Sequence, residues 1–541
     1  MQIRTPDYVA VYSENGGAQF PFAETVSKDD IAVKTYLKGE LLHIDLTADQ
    51  TPVKYVMLHW TFTEAEKREE SVKVFGDAWE RAYGDLEWRG IVPDRMMPWV
   101  CAVSNGSDQN RDFSGRYTEC FGVKTQPNAM CMWQYDTSGL TLWLDVRCGG
   151  RGVVLQKRIL SVCDVLFADY RDTSAFDALK AYYKRLCDAP LTVDHKIYGT
   201  NNWYYAYGKS SDEEILADTK FLTDCCAGLE NKPYMVLDDG WQKYPCDAPW
   251  NILREGKFFD MKKLAEKITD MGARPGIWFR PLSDRRFEVT DKESDTRAKW
   301  DNQYLDASHP DVLKYVENTV KMICGWGYTL IKHDFSTFDM LGYWGFERPQ
   351  EFAKDGWSFW NKNKTTAEII IDFNKVIYEA AKGRALILGC NVIGHLAAGL
   401  VHINRTGDDT SGREWERVRK YGVNALAFRM LHNEAFFLSD ADCVGVMGDI
   451  DWNLNREWLE ALSESGTPLF VSPKPGIMSE SEIEDLKTAY ARNSVQSDVL
   501  VPLDWMETVT PEKWLLNGEY KHYNWYSETG IKSFLGDLSK E

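Results

Sequence analysis

The segment LIKHDFSTFD at 330–339 ends an apolar run with Lys332, His333 and Asp334 in succession. In an extended strand, residues two apart share a face, so Lys332 and Asp334 point one way and His333 the other. Charges inside a buried strand cost free energy unless they are paired. One reading is a salt bridge that closes a strand. The chemical reading is a carboxylate kept ionised by the lysine on its own face and available as a nucleophile. His333, on the opposite face, reads as a packed histidine.

Polar and aromatic residues recur at the ends of the neighbouring apolar runs. Asn202, Trp203 and Tyr204 follow the first, Asp238, Asp239 and Trp241 the second, and Trp278 and Arg280 the third. Cys390 and Asn391 end the fifth, Arg405, Asp408 and Asp409 the sixth, and Asp440 and Asp442 the seventh. Single charges at strand ends are ordinary, but carboxylates at four ends together with tryptophans exceed what capping requires. Two carboxylates facing across a cleft can perform glycoside hydrolysis, one as an ionised nucleophile and the other as a proton donor. Asp334 suits the first role. Asp409, in RTGDDTSG, suits the second, with Asp408 its immediate rival. The competing role for either is the N-cap of the helix expected after TSGREW. For Asp440 and Asp442 the structural reading, hydrogen bonding within a loop, is the stronger.

The elements that would position these residues follow from periodicity. The N-terminal third alternates short apolar runs with turns, as in TYLKGELLHIDL and LTLWLDV, which predicts a β-sandwich closed by the helix SAFDALKAYYKRLCDA. From His195 onward strand-like and helix-like segments alternate, giving eight strands. Alternation implies parallel strands joined by crossovers, and eight close into a (β/α)8 TIM barrel whose active site lies at the C-terminal strand ends. A doubly wound sheet is the competitor, but no GxGxxG follows any strand. The stretch DVLVPLDWMETVTPEKWLLNGEYKHYNWY predicts a small antiparallel β domain. The expected division is 1–190, 191–488 and 489–541.

Composition narrows the ligand class. The net charge of −19 over 541 residues argues against nucleic acid and anionic membrane surfaces as partners. Aromatic residues make up 13% of the chain, an excess suited to stacking on the apolar faces of sugars. The 12 cysteines show no paired CxxC, and no HExxH occurs, so neither a metal nor another cofactor is expected. The first residues carry no apolar h-region of a signal peptide, and scattered thiols suit a cytoplasmic protein.

NNWYY at 201–205, LDDGW at 237–241, PGIW at 275–278, IKHD at 331–334, ILGC at 387–390, RTGDDT at 405–410 and SDADC at 439–443 together resemble glycoside hydrolase family 36 of clan D, the α-galactosidases and raffinose synthases. The resemblance implies Asp334 as nucleophile and Asp409, four residues after Arg405, as acid/base. It implies that Asp238 and Asp239 read the galactose O4 and O6 hydroxyls and that Lys332 and Arg405 hold others. Trp203, Tyr204, Trp278 and Cys390 would line the sugar pocket. The partner would be an α-galactoside oligosaccharide or glycoconjugate, and a homo-oligomer is compatible. His333, Arg280 and the aromatic loop STFDMLGYWGFERPQEF after Phe335 depart from the family pattern. They leave open a transglycosidase, an α-glycosidase for another sugar, or a catalytically silent sugar-binding homologue.

Overall fold

The computed structural model describes residues 3–69, 71–287, 295–347, 352–496 and 498–526. The N-terminal part contains two antiparallel sheets, of six and eight strands, drawn from residues 8–171. Their alternation is visible in Leu41–Thr47, where every second side chain is buried. Trp60, Trp133, Phe121 and Phe167 meet in the core at ring separations of 5.0–6.5 Å. The helix Ala175–Leu186, capped by Ser174, lies against this layer, and the Tyr182 hydroxyl donates to the Leu166 carbonyl at 2.7 Å.

A parallel sheet follows, built of β1 (Tyr198–Asn201), β2 (Tyr234–Leu237), β3 (Arg274–Phe279), β4 (Leu330–His333), β5 (Leu386–Gly389), β6 (Ile403–Arg405), β7 (Leu438–Asp440), β8 (Val444–Val446) and β9 (Leu469–Pro473). Their order is β7-β6-β5-β4-β3-β2-β1-β9-β8, with every pairing parallel. The strands are buried along nearly their whole length, as parallel strands covered on both faces must be. Between them run amphipathic helices with clear starts. Ser211, Asp260 and Ser479 cap Asp212–Cys225, Met261–Asp270 and Glu480–Asn493, and Thr365 with Glu368 forms a capping box on Thr366–Ala381.

The two edges of this curled sheet, β7 and β8, are pieces of one stretch separated only by Ala441, Asp442 and Cys443. The single seventh strand expected from the sequence is therefore broken. Asp442 takes a left-handed backbone conformation (φ 82°), which interrupts the ladder, so that β7 pairs with β6 and β8 with β9. The first strand is also shorter than expected. It stops at Asn201, and Trp203–Ala206 form one helical turn. The helix expected from REWERVRKYGVNALAFRMLHNE at 413–434 contains a π-helical stretch, Val418–Val423, between two short α segments.

The C-terminal part contributes a three-stranded antiparallel sheet, Val501–Pro502, Lys513–Leu516 and Glu519–His522. Buried Trp525 ties it to the parallel layer by accepting a hydrogen bond on its carbonyl from Trp415 Nε1 at 2.8 Å. No helix among the described residues is long and apolar enough to cross a membrane.

Candidate active site

The ten residues assigned catalytic or sugar-binding roles from the sequence line one cavity at the C-terminal ends of the parallel strands: Trp203, Tyr204, Asp238, Asp239, Trp278, Lys332, Asp334, Cys390, Arg405 and Asp409. They come from β1 to β6 and the turns that follow. Five further residues share the wall: Asn201, Cys246, Phe335, Asp442 and Cys443.

The floor is an ion pair. Lys332 Nζ donates to Asp238 Oδ2 at 2.7 Å, and Asn201 Nδ2 donates to the same oxygen at 2.8 Å. Both charged groups are almost fully buried, so each depends on the other for compensation. Burial pushes the Lys332 ammonium down, but Asp238 reverses this and holds it well above the ordinary lysine value. The sequence reading makes Lys332 the partner of Asp334. In the structure its direct partner is Asp238, just past the end of β2. Asp239, next along, accepts from the Cys246 main-chain N–H at 3.0 Å, and Cys246 Sγ lies 3.0 Å from its other oxygen. Its side chain is thus fixed by the loop after β2.

Asp334 is held by neutral donors. Trp278 Nε1 donates to Oδ2 at 3.1 Å, and the Phe335 main-chain N–H to Oδ1 at 2.7 Å. Phe335 itself adopts a left-handed conformation (φ 59°) at the turn into the helix Ser336–Leu341. Arg280, one of the departures from the family pattern, does not enter this cavity's lining. It forms a bidentate pair with Asp339 at 2.8 and 2.6 Å, and its guanidinium lies 4.2 Å from the centre of the Phe335 ring. His333 is fully buried on the other face, with Ser336 Oγ 2.9 Å from Nδ1 and the Phe373 ring nearby, and burial lowers its pKa to about 4.

Asp409 has a cationic setting. Arg405 Nη2 donates to Oδ1 at 3.0 Å, and Arg81 Nη1, from the N-terminal part of the chain, lies 3.8 Å from the same oxygen. Desolvation pushes the carboxyl up, but Arg405, Arg81 and Lys332 together outweigh it and hold it below the ordinary aspartate value. Arg405 Nη1 also pairs with Asp442 Oδ1 at 2.9 Å, so it spans two carboxylates. Asp442 in turn accepts from the Tyr204 hydroxyl and from Thr410 N and Oγ1 (2.7 and 3.0 Å). Neither Asp408 nor Asp409 caps the next helix. The N-cap of Trp415–Arg417 is Glu414, and Thr410 N goes to Asp442 instead. Asp408 faces Arg81 (3.4 Å) and Arg417 (3.4 Å) and does not line the cavity.

A perturbed titration alone would direct attention to Asp440, which burial raises to about 6. Geometry does not support it. Asp440 Oδ1 accepts from the Asp442 main-chain N–H at 2.9 Å, and the residue is not part of the cavity wall. Among the described residues no cluster of three or more His, Cys, Asp or Glu side chains forms a metal-binding arrangement. Buried Trp241, also at the second strand end, does not line the cavity but donates from Nε1 to the Trp278 carbonyl at 3.0 Å.

In solved structures this arrangement of layers recurs in α-galactosidases. The α-galactosidase TtGalA of Thermus thermophilus superposes with a TM-score of 0.56 at 16% identity, over 91% of this chain and 99% of that one. The family 36 α-galactosidase AgaA of Geobacillus stearothermophilus gives 0.60 at 14% identity, over 95% and 79%. The chain has the fold of these enzymes. The galactosidase domain of the α-galactosidase–sucrose kinase AgaSK gives 0.58 at 13% identity, over 94% and 74%. No protein-family profile matches the sequence.

Proposed function

We propose that this chain is a retaining glycoside hydrolase that cleaves terminal α-linked galactose by a two-aspartate double displacement. The observation that carries the reading is the convergence of Asp334 and Asp409 with the Asp238–Lys332 pair on one cavity at the strand ends. The shared fold adds to it, since TtGalA is in complex with p-nitrophenyl α-D-galactopyranoside or stachyose, and AgaA with raffinose.

In this reading Asp334 attacks the anomeric carbon while Asp409 protonates the departing oxygen. Asp409 then deprotonates the water that releases the sugar, with net retention. Trp278 Nε1 and the Phe335 N–H aim the Asp334 oxygens without adding a formal charge. Asp238 and Asp239 accept from sugar hydroxyls. A hydroxyl of the wrong configuration would leave one of these enclosed carboxylates without its partner, which discriminates strongly between epimers. Trp203 and Trp278 supply flat apolar walls.

The reading includes a three-part organisation: a β-sandwich over 1–190, a (β/α)8 barrel from 191, and a small C-terminal β domain. The helix Glu480–Asn493 runs through the expected boundary at 488, so we place the second division after Asn493. All twelve cysteines are free thiols, ten of them buried, which supports a cytoplasmic setting.

The test is nitrophenol release from p-nitrophenyl α-D-galactoside beside the α-glucoside and the α-N-acetylgalactosaminide, with Asp334→Ala as the blank. Galactoside turnover that vanishes in the variant is expected. Turnover of the glucoside or the acetylgalactosaminide in preference would reassign the sugar. Silence on all three would count against hydrolysis of simple galactosides.

A further inference from the structure

A general acid must hold a proton before it can give one, yet the cations around Asp409 favour its ionised form. One of them does not come from the parallel sheet. We propose that Arg81, carried by the N-terminal part of the chain, is a positioning residue for Asp409 that fixes its carboxylate and sets how readily it takes a proton. This rests on the reading of Asp409 as the acid/base.

The segment around Arg81 is docked by the main chain. Ala82 N donates to the Thr406 carbonyl at 2.7 Å, and Asp408 N donates to the Ala82 carbonyl at 3.2 Å. These two bonds clamp residue 82 to the loop that carries Asp409, so Arg81 cannot move independently of it. The arginine is 5% exposed. Its guanidinium lies 5.6 Å from the Tyr83 ring centre and 5.7 Å from that of Trp344, and aromatic faces on a planar cation restrict its orientation. From there Nη1 faces Asp409 at 3.8 Å and Nη2 faces Asp408 at 3.4 Å, while Nε lies 3.5 Å from Glu80. A planar fork serves two adjacent carboxylates from one fixed orientation, whereas an ammonium is a point charge on a flexible stem.

The other charged or titratable groups around Asp409 come from each adjoining element. Arg405 on β6 bonds to it directly, and Lys332 on β4 acts from across the mouth. Tyr204 after β1 lies close enough to be coupled to it, and Asp442 between β7 and β8 shares Arg405. Arg417 Nε donates to its main-chain carbonyl at 2.5 Å and approaches Asp408 with Nη2. Of these cations Arg81 alone comes from the N-terminal part of the chain, which thus helps to complete the site.

The experiment compares kcat/KM against pH for the full-length wild type, Arg81→Gln and Arg81→Lys, on p-nitrophenyl α-D-galactoside and on raffinose, with circular dichroism melts to confirm folding. Removing a nearby cation raises a carboxyl pKa, so the alkaline limb, where the protonated acid is lost, moves to higher pH. We expect a displacement of about one pH unit in Arg81→Gln. Arg81→Lys keeps the charge but loses the fixed fork, so its limb moves part of the way, with the raffinose rate falling more than the aryl rate. The lysine variant, which suits the same slot, decides the matter if the glutamine variant does not fold. An alkaline limb at the wild-type pH in either folded variant would overturn the proposal, even if stability or overall rate fell. A wild type without galactoside turnover would overturn the reading on which it rests, whereas turnover with an unmoved limb overturns only the role of Arg81.

Discussion

At the end of β4 the Asp334 carboxylate takes hydrogen bonds from two neutral N–H groups, those of the Trp278 indole and the Phe335 main chain. At the end of β6 the Asp409 carboxylate meets Arg405 and Arg81. Both are aspartates at strand ends of one cavity, with β5 between their strands, yet one environment fixes direction and the other fixes charge. Neutral donors orient a nucleophile while leaving its electron pairs to attack. Cations hold a carboxylate ionised, the form needed as the base in the second half of a double displacement and opposed to the acid needed in the first. The difference arises from where the partners originate. Those of Asp334 are supplied by β3 and by the next residue, those of Asp409 partly from more than 300 residues upstream, at Arg81.

The largest expected effect breaks the comparison on its nucleophilic side. Asp334→Ala should lower kcat on p-nitrophenyl α-D-galactoside by ~10⁴-fold or more if Asp334 forms the glycosyl-enzyme as proposed. The size of this loss follows from that proposed role, and steady-state rates with a folded variant check it. On the cationic side, Asp409→Ala should cost ~10²–10⁴-fold on raffinose and much less on an activated aryl galactoside, which needs little acid assistance. Asp408→Ala is the control. If it proved as damaging as Asp409→Ala on both substrates, the choice between the two neighbours would be wrong.

The floor gives the next effect. Lys332→Met would leave Asp238 buried without its cation and should cost about 3–5 kcal/mol of stability, read as a lower urea midpoint. The smallest effect concerns acid unfolding. The folded pKa of Asp409 is depressed, so its contribution to stability is full above the unfolded carboxyl value, about 4, and is lost as pH falls through the lower folded value. Its side chain is 39% exposed, so solvent screening keeps this contribution small. Asp409→Asn should therefore flatten the acid limb of a stability–pH curve only slightly, and a steeper limb would mean that the carboxyl is not held ionised.

Much of the site was legible because parallel strands place their C-terminal ends together. Once LDDGW, PGIW, IKHD, ILGC and RTGDD are read as successive strand ends, Asp238, Trp278, Lys332, Cys390 and Arg405 must share a mouth. Pairings across the mouth were not legible. That Lys332 bonds to Asp238 rather than to Asp334 depends on side-chain reach between β4 and β2, which alternation along one strand does not encode. The break at Asp442 was missed because SDADC has the apolar flanks of a continuous strand, and its left-handed conformation is set by tertiary partners. Asn201 and Cys246 follow the same logic, one hidden at a strand terminus and the other on a loop held to Asp239. Arg81, within WERAYG, carries no local mark of its role. Only the docking of residue 82 on the β6 loop brings it there.

The most direct test of the central claim is to trap the covalent intermediate with a slowly turned-over, activated fluorinated galactosyl fluoride and locate the label by peptide mass spectrometry. The account predicts a single glycosylated peptide bearing the sugar on Asp334, with retention in the products released from ordinary substrates. A label on Asp409 or on another residue, or products of inverted configuration, would contradict it.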